Sequence, residues 1–433
     1  MSHCLRPFIA ALGLAVAFSV QAAKPAKPVA KAQEPAAQAS ADFELAHNLG
    51  PGGEQRLQAV VDRFNKEQGG NLKLSRLEKG EKPAGLNLLR RYDASEALAN
   101  PKAFLPLHEV MAKNGQALNA GELSAELKAG VSDAKGRLVA LPLVYSTPVL
   151  FYNKNALRKA KLDPEQPPKT WFEMQGMLDK LQDAGYQCPY TSSWPVWVHV
   201  DNVSAISGVP ATSDKGQLTF NGLPQVKHIA MMATWTKAGY FRLFGRRDEA
   251  SARFNEGECA MITTDSREVT DFREAKGVEL GVAPLPFHDD VYGGRQASLA
   301  DGASLWIGAG RSPAEYKQAA KFVAFLLSSE MQVEMVRSYG GLPLTAAARA
   351  AGRSKLLKDD DNTLEIALAS IKGNGGKPAL RAASVDPVRI LTNEELEAVF
   401  ADKKPAKAAL DTAVNRGNAI LAAKAQLRKS QPF

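Results

Sequence analysis

From Phe43 onward the chain alternates short strand-forming runs with longer amphipathic stretches and shows no internal repeat. A chain patterned this way builds mixed α/β layers, since sandwiches and helical bundles each need one periodicity throughout. Residues 54–67 place Leu57, Val60, Val61 and Phe64 at helical spacing before a Gln68-Gly69-Gly70 stop, and 72–77 alternates like a strand. Residues 131–143 read as two strand edges around an Asp133-to-Gly136 turn, and 146–153 is a β-rich apolar run before a short helix over 154–161. Thr170 and Glu173 form a capping box that opens a helix whose buried face holds Phe172, Met174, Met177, Leu178 and Leu181. Further helices are expected over 224–238, 313–328, 330–338, 363–371 and 405–428, with strands near 259–264, 280–283 and 305–308. The 433 residues exceed what one compact core holds, so two lobes follow.

The N-terminus reads as an export signal. One Arg lies in the first seven residues, 8–20 is almost wholly apolar, and Val20-Gln21-Ala22 ends in small residues, so 1–22 is a cleaved signal peptide. The apolar run is shorter than the roughly 20 helical residues a bilayer requires. Residues 23–41, rich in Ala, Pro and Lys, bury too little to fold and make a disordered linker. Arg6, Lys24, Lys27 and Lys31 against Glu34 place three of the eight net positive charges before residue 41. The remainder is dispersed, without the basic stripe and interleaved aromatics of a nucleic-acid binder. No later segment is long and apolar enough for direct membrane insertion, so the location expected is the periplasm.

Catalytic signatures fail on inspection. Ser132-Asp133-Ala134-Lys135 matches a Ser-x-x-Lys pattern but falls in a hairpin turn, where the buried first helical turn such enzymes need is missing. Gly308-Ala309-Gly310 lacks the third glycine of a dinucleotide loop. The six histidines are scattered, read as surface or packing residues, and supply no metal-ligand spacing. No cofactor, no metal and no enzymatic role is expected. Only Cys188 and Cys259 survive signal cleavage, and both a disulfide and two separate buried thiols fit the sequence.

Trp194 and Trp197 stand in a polar, proline-broken stretch. They are either ordinary core aromatics or flat apolar faces offered to a ligand. Around them the chain is similar to a known family over nearly everything from Phe43 to the C-terminus. The matching stretches are STPVLFYNKNAL at 146–157, LDPEQPPKTW at 162–171, QVKHIAM at 225–231, GRRDEA at 245–250 and ECAM at 258–261. DGASLWI at 301–307, EELEAVF at 394–400 and ALDTAVNRGN at 409–418 continue it. These resemble the sugar-type extracellular solute-binding proteins, and within them the periplasmic glycerol-3-phosphate receptors of ABC importers.

The resemblance implies an α/β, two-lobed periplasmic-binding-protein fold with hinge segments and a ligand cleft between the lobes. The first lobe would span 42–145 with a return around 275–325, the second 146–274 with the C-terminal part around 326–433. It implies that Trp194 and Trp197 pack on a glycerol moiety, that Ser146 bonds a hydroxyl, that the Gly302 N–H approaches the ligand, and that Arg389 grips phosphate with its planar fork. The family pattern is altered at several positions. A tyrosine is lost near Gly80-Glu81-Lys82-Pro83, Tyr92-Asp93 falls where the family has a glutamate, Asp265 replaces a serine, and Gly341 replaces a tyrosine for which Tyr339 stands two residues off. The function implied is delivery of glycerol-3-phosphate, or a related glycerophosphodiester, to the membrane permease subunits of an ABC importer. The alternative is a divergent paralogue that binds another small ligand, or a non-transport sensory or scaffolding protein.

Overall fold

The computed structural model describes residues 43–430 except 50, 78–81, 91–101, 117, 120, 134, 214, 292–293, 357–361 and 374–384. The expected signal peptide and linker, and Tyr92 and Asp93, lie outside the described residues. Two sheets organise the rest. The first is built from β1 (Phe43–His47), β2 (Leu72–Arg76), β3 (Leu86–Leu89), β4 (Phe104–Leu105) and β5 (Leu141–Ser146). The second takes β6 (Pro148–Asn153), β7 (Cys188–Ser192), β8 (Phe241–Arg242), β9 (Cys259–Asp265) and β10 (Leu280–Pro284), after which β11 (Asp301–Gly308) returns to the first. The first sheet runs β2-β1-β3-β11-β4, with β5 also paired to β11; the second runs β10-β6-β9-β7-β8.

Every residue of β6 is buried, because β9 and β10 flank its two edges antiparallel and packed side chains cover both faces. That is why Pro148-Val149-Leu150-Phe151-Tyr152 reads as a continuous apolar run where a half-exposed strand would alternate. The helix Trp171–Asp183 starts at the expected capping box: Glu173 N–H donates to Thr170 Oγ1 at 3.1 Å and Thr170 N–H to Glu173 Oε2 at 3.2 Å. Its buried stripe begins one residue earlier than expected. Trp171 joins Met174, Met177, Leu178 and Leu181 inside, whereas Phe172 is 82% exposed. Residues 171, 174, 178 and 181 keep the 3-4-3 spacing of one face, and 172 is rotated about 100° from it.

The lobe boundaries differ from the expected ones in two places. Leu280–Pro284 pairs with β6, so the return to the first sheet begins at Asp301 and not around 275. The helix Ser329–Tyr339 sends Met331, Met335 and Tyr339 into the first core beside Phe43 and Leu305, so the chain from 326 does not pass directly to the second lobe. It is the helices Val385–Phe400 and Ala406–Ser430 that pack on the second lobe, where Val388, Leu396 and Leu410 meet Val196, Val200 and Ile229.

Cys188 and Cys259 face each other across the parallel β7–β9 pair and form a disulfide, which decides between the two readings open at the sequence level. The chain crosses between sheets at Thr147 and again over 285–300. The crossings are tied together: Thr147 Oγ1 donates to the Leu299 carbonyl at 3.1 Å, and Ser266 N–H to the Thr147 carbonyl at 3.0 Å. No helix among the described residues is long and apolar enough to cross a membrane.

Candidate functional site

Beside these crossings lies a cavity of about 360 Å³ whose walls come from both lobes. The first lobe contributes Arg56 from the helix Pro51–Gln68, Arg90 just after β3, Val144 of β5 and Gly302 of β11. The second contributes Trp194, Asp248, Ser251, Arg267, Glu268 and Asp271, and Tyr339 joins the lining.

Of the residues singled out from sequence, Trp194 and Gly302 reach this cavity. Trp194 follows β7 with φ at +53°, a left-handed backbone that costs a bulky residue about 1–2 kcal/mol. Its N–H donates to the Arg247 carbonyl at 2.7 Å and its carbonyl accepts from Val198 N–H at 3.0 Å, so both neighbours hold the strained corner. Gly302 has a packing reason of its own, since a Cβ there would stand 2.0 Å from the Val144 carbonyl oxygen. Its N–H donates to Asp301 Oδ1 at 2.7 Å.

Trp197, Ser146, Arg389 and Asp265 are buried and are not among the residues lining the cavity. Trp197 begins a π-helical turn, Trp197–Asn202, and its indole joins Trp171, Tyr190 and Trp235 in the second core. Ser146 Oγ donates to the Asp301 carbonyl at 3.4 Å. Arg389 Nη2 lies 2.8 Å from Asp201 Oδ2 in a buried ion pair. Gly341 belongs to the turn that donates Leu342 N–H to the Tyr145 carbonyl at 2.8 Å, and Tyr339 supplies the aromatic ring to the cavity instead.

Asp265 does not project into the cavity as a bare charge. Arg267 Nη2 and Nε lie 2.7 and 3.0 Å from its two oxygens, a bidentate pair closed by the Arg267 N–H on Oδ1 at 3.0 Å. Burial opposes the Arg267 charge and Asp265 more than offsets it, so the guanidinium stays protonated. Next to it, burial, helped by Asp265 and Asp248, pushes the Glu268 carboxyl up to about 8. At neutral pH Glu268 is therefore neutral, and the lining sets Arg56, Arg90 and the Asp265-paired Arg267 beside Asp248 and Asp271, with Arg56 Nη1 3.5 Å from Asp271 Oδ1.

Arg56, Arg90, Arg267 and Glu268 were missed from sequence because exposed and cavity-lining arginines look alike in one dimension. Only the Asp265-x-Arg267 spacing carried a signal, since two residues of opposite charge at that separation can form a local fork. Among the described residues no cluster of histidine, cysteine and carboxylate suits a metal ion.

Residues 59–364 match the model of the bacterial extracellular solute-binding protein family. The chain is 35% identical to the sn-glycerol-3-phosphate-binding periplasmic protein UgpB of Pectobacterium atrosepticum over 410 residues, covering 89% of this chain and 92% of the relative. It is 36% identical to UgpB of Salmonella typhimurium over 373 residues, covering 83% and 84%. In fold it resembles UgpB from Mycobacterium tuberculosis in complex with glycerophosphocholine, with a TM-score of 0.73, 18% identity, and 88% of this chain and 98% of that one covered. The maltose-bound MalE3 of T. maritima gives a TM-score of 0.72 at 20% identity, covering 87% and 100%.

Proposed function

The chain belongs to the bacterial extracellular solute-binding proteins, and from that premise we propose that it is a periplasmic receptor that carries a phosphorylated glycerol compound to the permease of an ABC importer. It is a transport component in this reading, and its chemistry is binding and release. The observation that carries the ligand class is the cavity between the lobes, lined by one indole and by Arg56, Arg90 and the Asp265-paired Arg267. Guanidinium forks suit phosphate oxygens, and an indole face suits the apolar side of a glycerol chain or a quaternary ammonium.

The charge balance favours a phosphodiester over a phosphate monoester. With Arg267 already occupied by Asp265, Arg56 and Arg90 stand against Asp248 and Asp271. These side chains sum to no net charge, so a monoanion leaves one uncompensated charge where a dianion leaves two. The second charge of a monoester, ~4 Å from a carboxylate, would cost about 4 kcal/mol at an effective dielectric near 20. The diester's second alcohol has somewhere to go within the 360 Å³.

Calorimetric titration of glycerophosphocholine and of glycerol-3-phosphate into the mature protein tests both levels of the proposal. Tighter binding of the diester is expected. Tighter binding of the monoester would reject the preference, and heat from neither would reject the ligand class.

A further inference from the structure

Three histidines that lie far apart in sequence meet inside the second lobe. His199 comes from the turn after Trp197, His228 from the helix Leu223–Lys237 and His288 from the loop after β10. His199 and His228 are fully buried and His288 is 7% exposed. Their rings are linked end to end: His199 Nδ1 lies 2.9 Å from His228 Nε2, and His228 Nδ1 lies 3.0 Å from His288 Nε2. Past His199 the line continues to the Tyr190 hydroxyl at 3.4 Å, from there to Thr263 Oγ1 at 2.6 Å, and on to Ser192 Oγ at 3.0 Å. Ser192 leads directly into Ser193 and Trp194, and Ser193 Oγ stands 3.1 Å from Ser251 Oγ on the cavity wall.

A neutral imidazole has one N–H and one lone pair, so a row of three is satisfied only when every ring points the same way. With His288 donating to His228, His228 to His199 and His199 to Tyr190, the Tyr190 hydroxyl donates to Thr263 and Thr263 to Ser192. A proton added to His199 or His228 makes an imidazolium that donates from both nitrogens, and two N–H groups then face each other at a joint of the row, whereas His288 takes a proton on its outer Nδ1 with its joint to His228 intact. The surroundings offer little to stabilise that charge. His199 is packed by Trp171, Tyr190, Phe241 and His228, and His228 by Trp171 and the other two histidines. Only His288 faces charged groups: Lys227 disfavours its cation, while Asp289 and Asp290 favour it, and Asp290 is already bonded to Lys227. Burial accordingly draws His199 down to about 3, His288 to about 4, and His228 well below its ordinary value.

We propose that this row is an acid-operated latch: proton uptake breaks the hydrogen-bonded line that ends at Ser192 and loosens the Ser193–Trp194 corner of the cleft. Each histidine is neutral in the fold and titrates near 6.5 when unfolded. Its stabilising contribution is therefore complete above that pH and is lost as pH falls toward the folded values. The loss is about tenfold in the folding equilibrium per pH unit per histidine.

The test needs no ligand. Urea unfolding of the wild type, His288→Gln and His228→Gln between pH 7.5 and 4.5 reads the proton uptake. Hydrogen exchange at the Ser193 and Trp194 amides, corrected for its intrinsic pH dependence, reads the cleft corner. Each substitution should remove one tenfold factor per pH unit from the acid loss, and the wild-type corner should open in acid more than either variant's. Equal slopes in all three proteins would overturn the latch. So would acid-independent exchange at Ser193 and Trp194 alongside altered slopes, because the row would then not reach the cleft. If His228→Gln does not fold, ring titration by NMR in the wild type decides: His199 or His228 titrating near 6.5 in the native protein refutes the proposal.

Discussion

Truncating the two indoles separately distinguishes a core tryptophan from a ligand-facing one. Trp197 is fully buried among Trp171, Tyr190, Val198 and Met232, whereas Trp194 is 8% exposed and lines the cavity. Replacing Trp197 by Ala removes the whole indole from a packed site that can collapse only in part, at a cost of about 3–5 kcal/mol. A loss of that size should lower the melting temperature measurably. The folded Trp197→Ala protein should bind its ligand nearly as the wild type does, since the ring does not line the cavity. Trp194→Ala should show the reverse emphasis, with a smaller loss of melting temperature and at least about tenfold weaker binding, equivalent to about 1.4 kcal/mol. Calorimetry with glycerophosphocholine, beside thermal melts of the same preparations, separates the two effects. A Trp197→Ala protein that melts like the wild type but no longer binds would refute this reasoning and return that indole to the ligand, as the family resemblance implied.

Three other outcomes follow from the same geometry. Trp194→Gly should be more stable than Trp194→Ala by about 1 kcal/mol, because glycine adopts φ near +53° without a Cβ penalty; equal melts would show that this corner relaxes once the ring is gone. Reducing the Cys188–Cys259 disulfide, which closes a loop with a sequence separation of 71, should cost up to about 4 kcal/mol by the loop-entropy estimate; urea unfolding with and without reductant measures it, and identical midpoints would refute it. Affinity for a phosphate ligand should fall as pH rises through about 8, where Glu268 ionises in the cavity, and Glu268→Gln should abolish that fall. By linkage the same raised value contributes a fall in stability as pH rises from 4.5 to 8, opposed below 6.5 by the histidine row and removed in Glu268→Gln, and a variant that tracks the wild type in both binding and stability would show that Glu268 is not the titrating group.

What could be read from one dimension was local. The capping box at Thr170 and Glu173, the strand within the apolar run 146–153 and the helix over 363–371 each depend on neighbours within a few residues. The family followed from long matching stretches of the same kind. Phe172 was misassigned because two adjacent aromatics both satisfy an apolar count, and only packing chooses which face turns inward. The lobe boundary at β10 depends on register with β6, over a hundred residues earlier, which no local pattern encodes.

The site itself was decided by tertiary structure. Trp194 and Trp197 are three residues apart and chemically identical, and both join the second core, yet with a left-handed backbone at one and a π-helical turn at the other only Trp194 also lines the cavity. Arg389 was expected in the cleft, but Asp201 pairs with it in the interior, because a buried guanidinium demands a counter-charge wherever the fold supplies one. The histidine row joins segments separated by 29 and 60 residues, so six scattered histidines in the sequence carry no sign of it. Sequence determined which elements form, since backbone preference and capping act over short range. Side-chain direction, charge pairing and the contents of the cleft waited on the fold, since burial and Coulomb energy depend on distance in space.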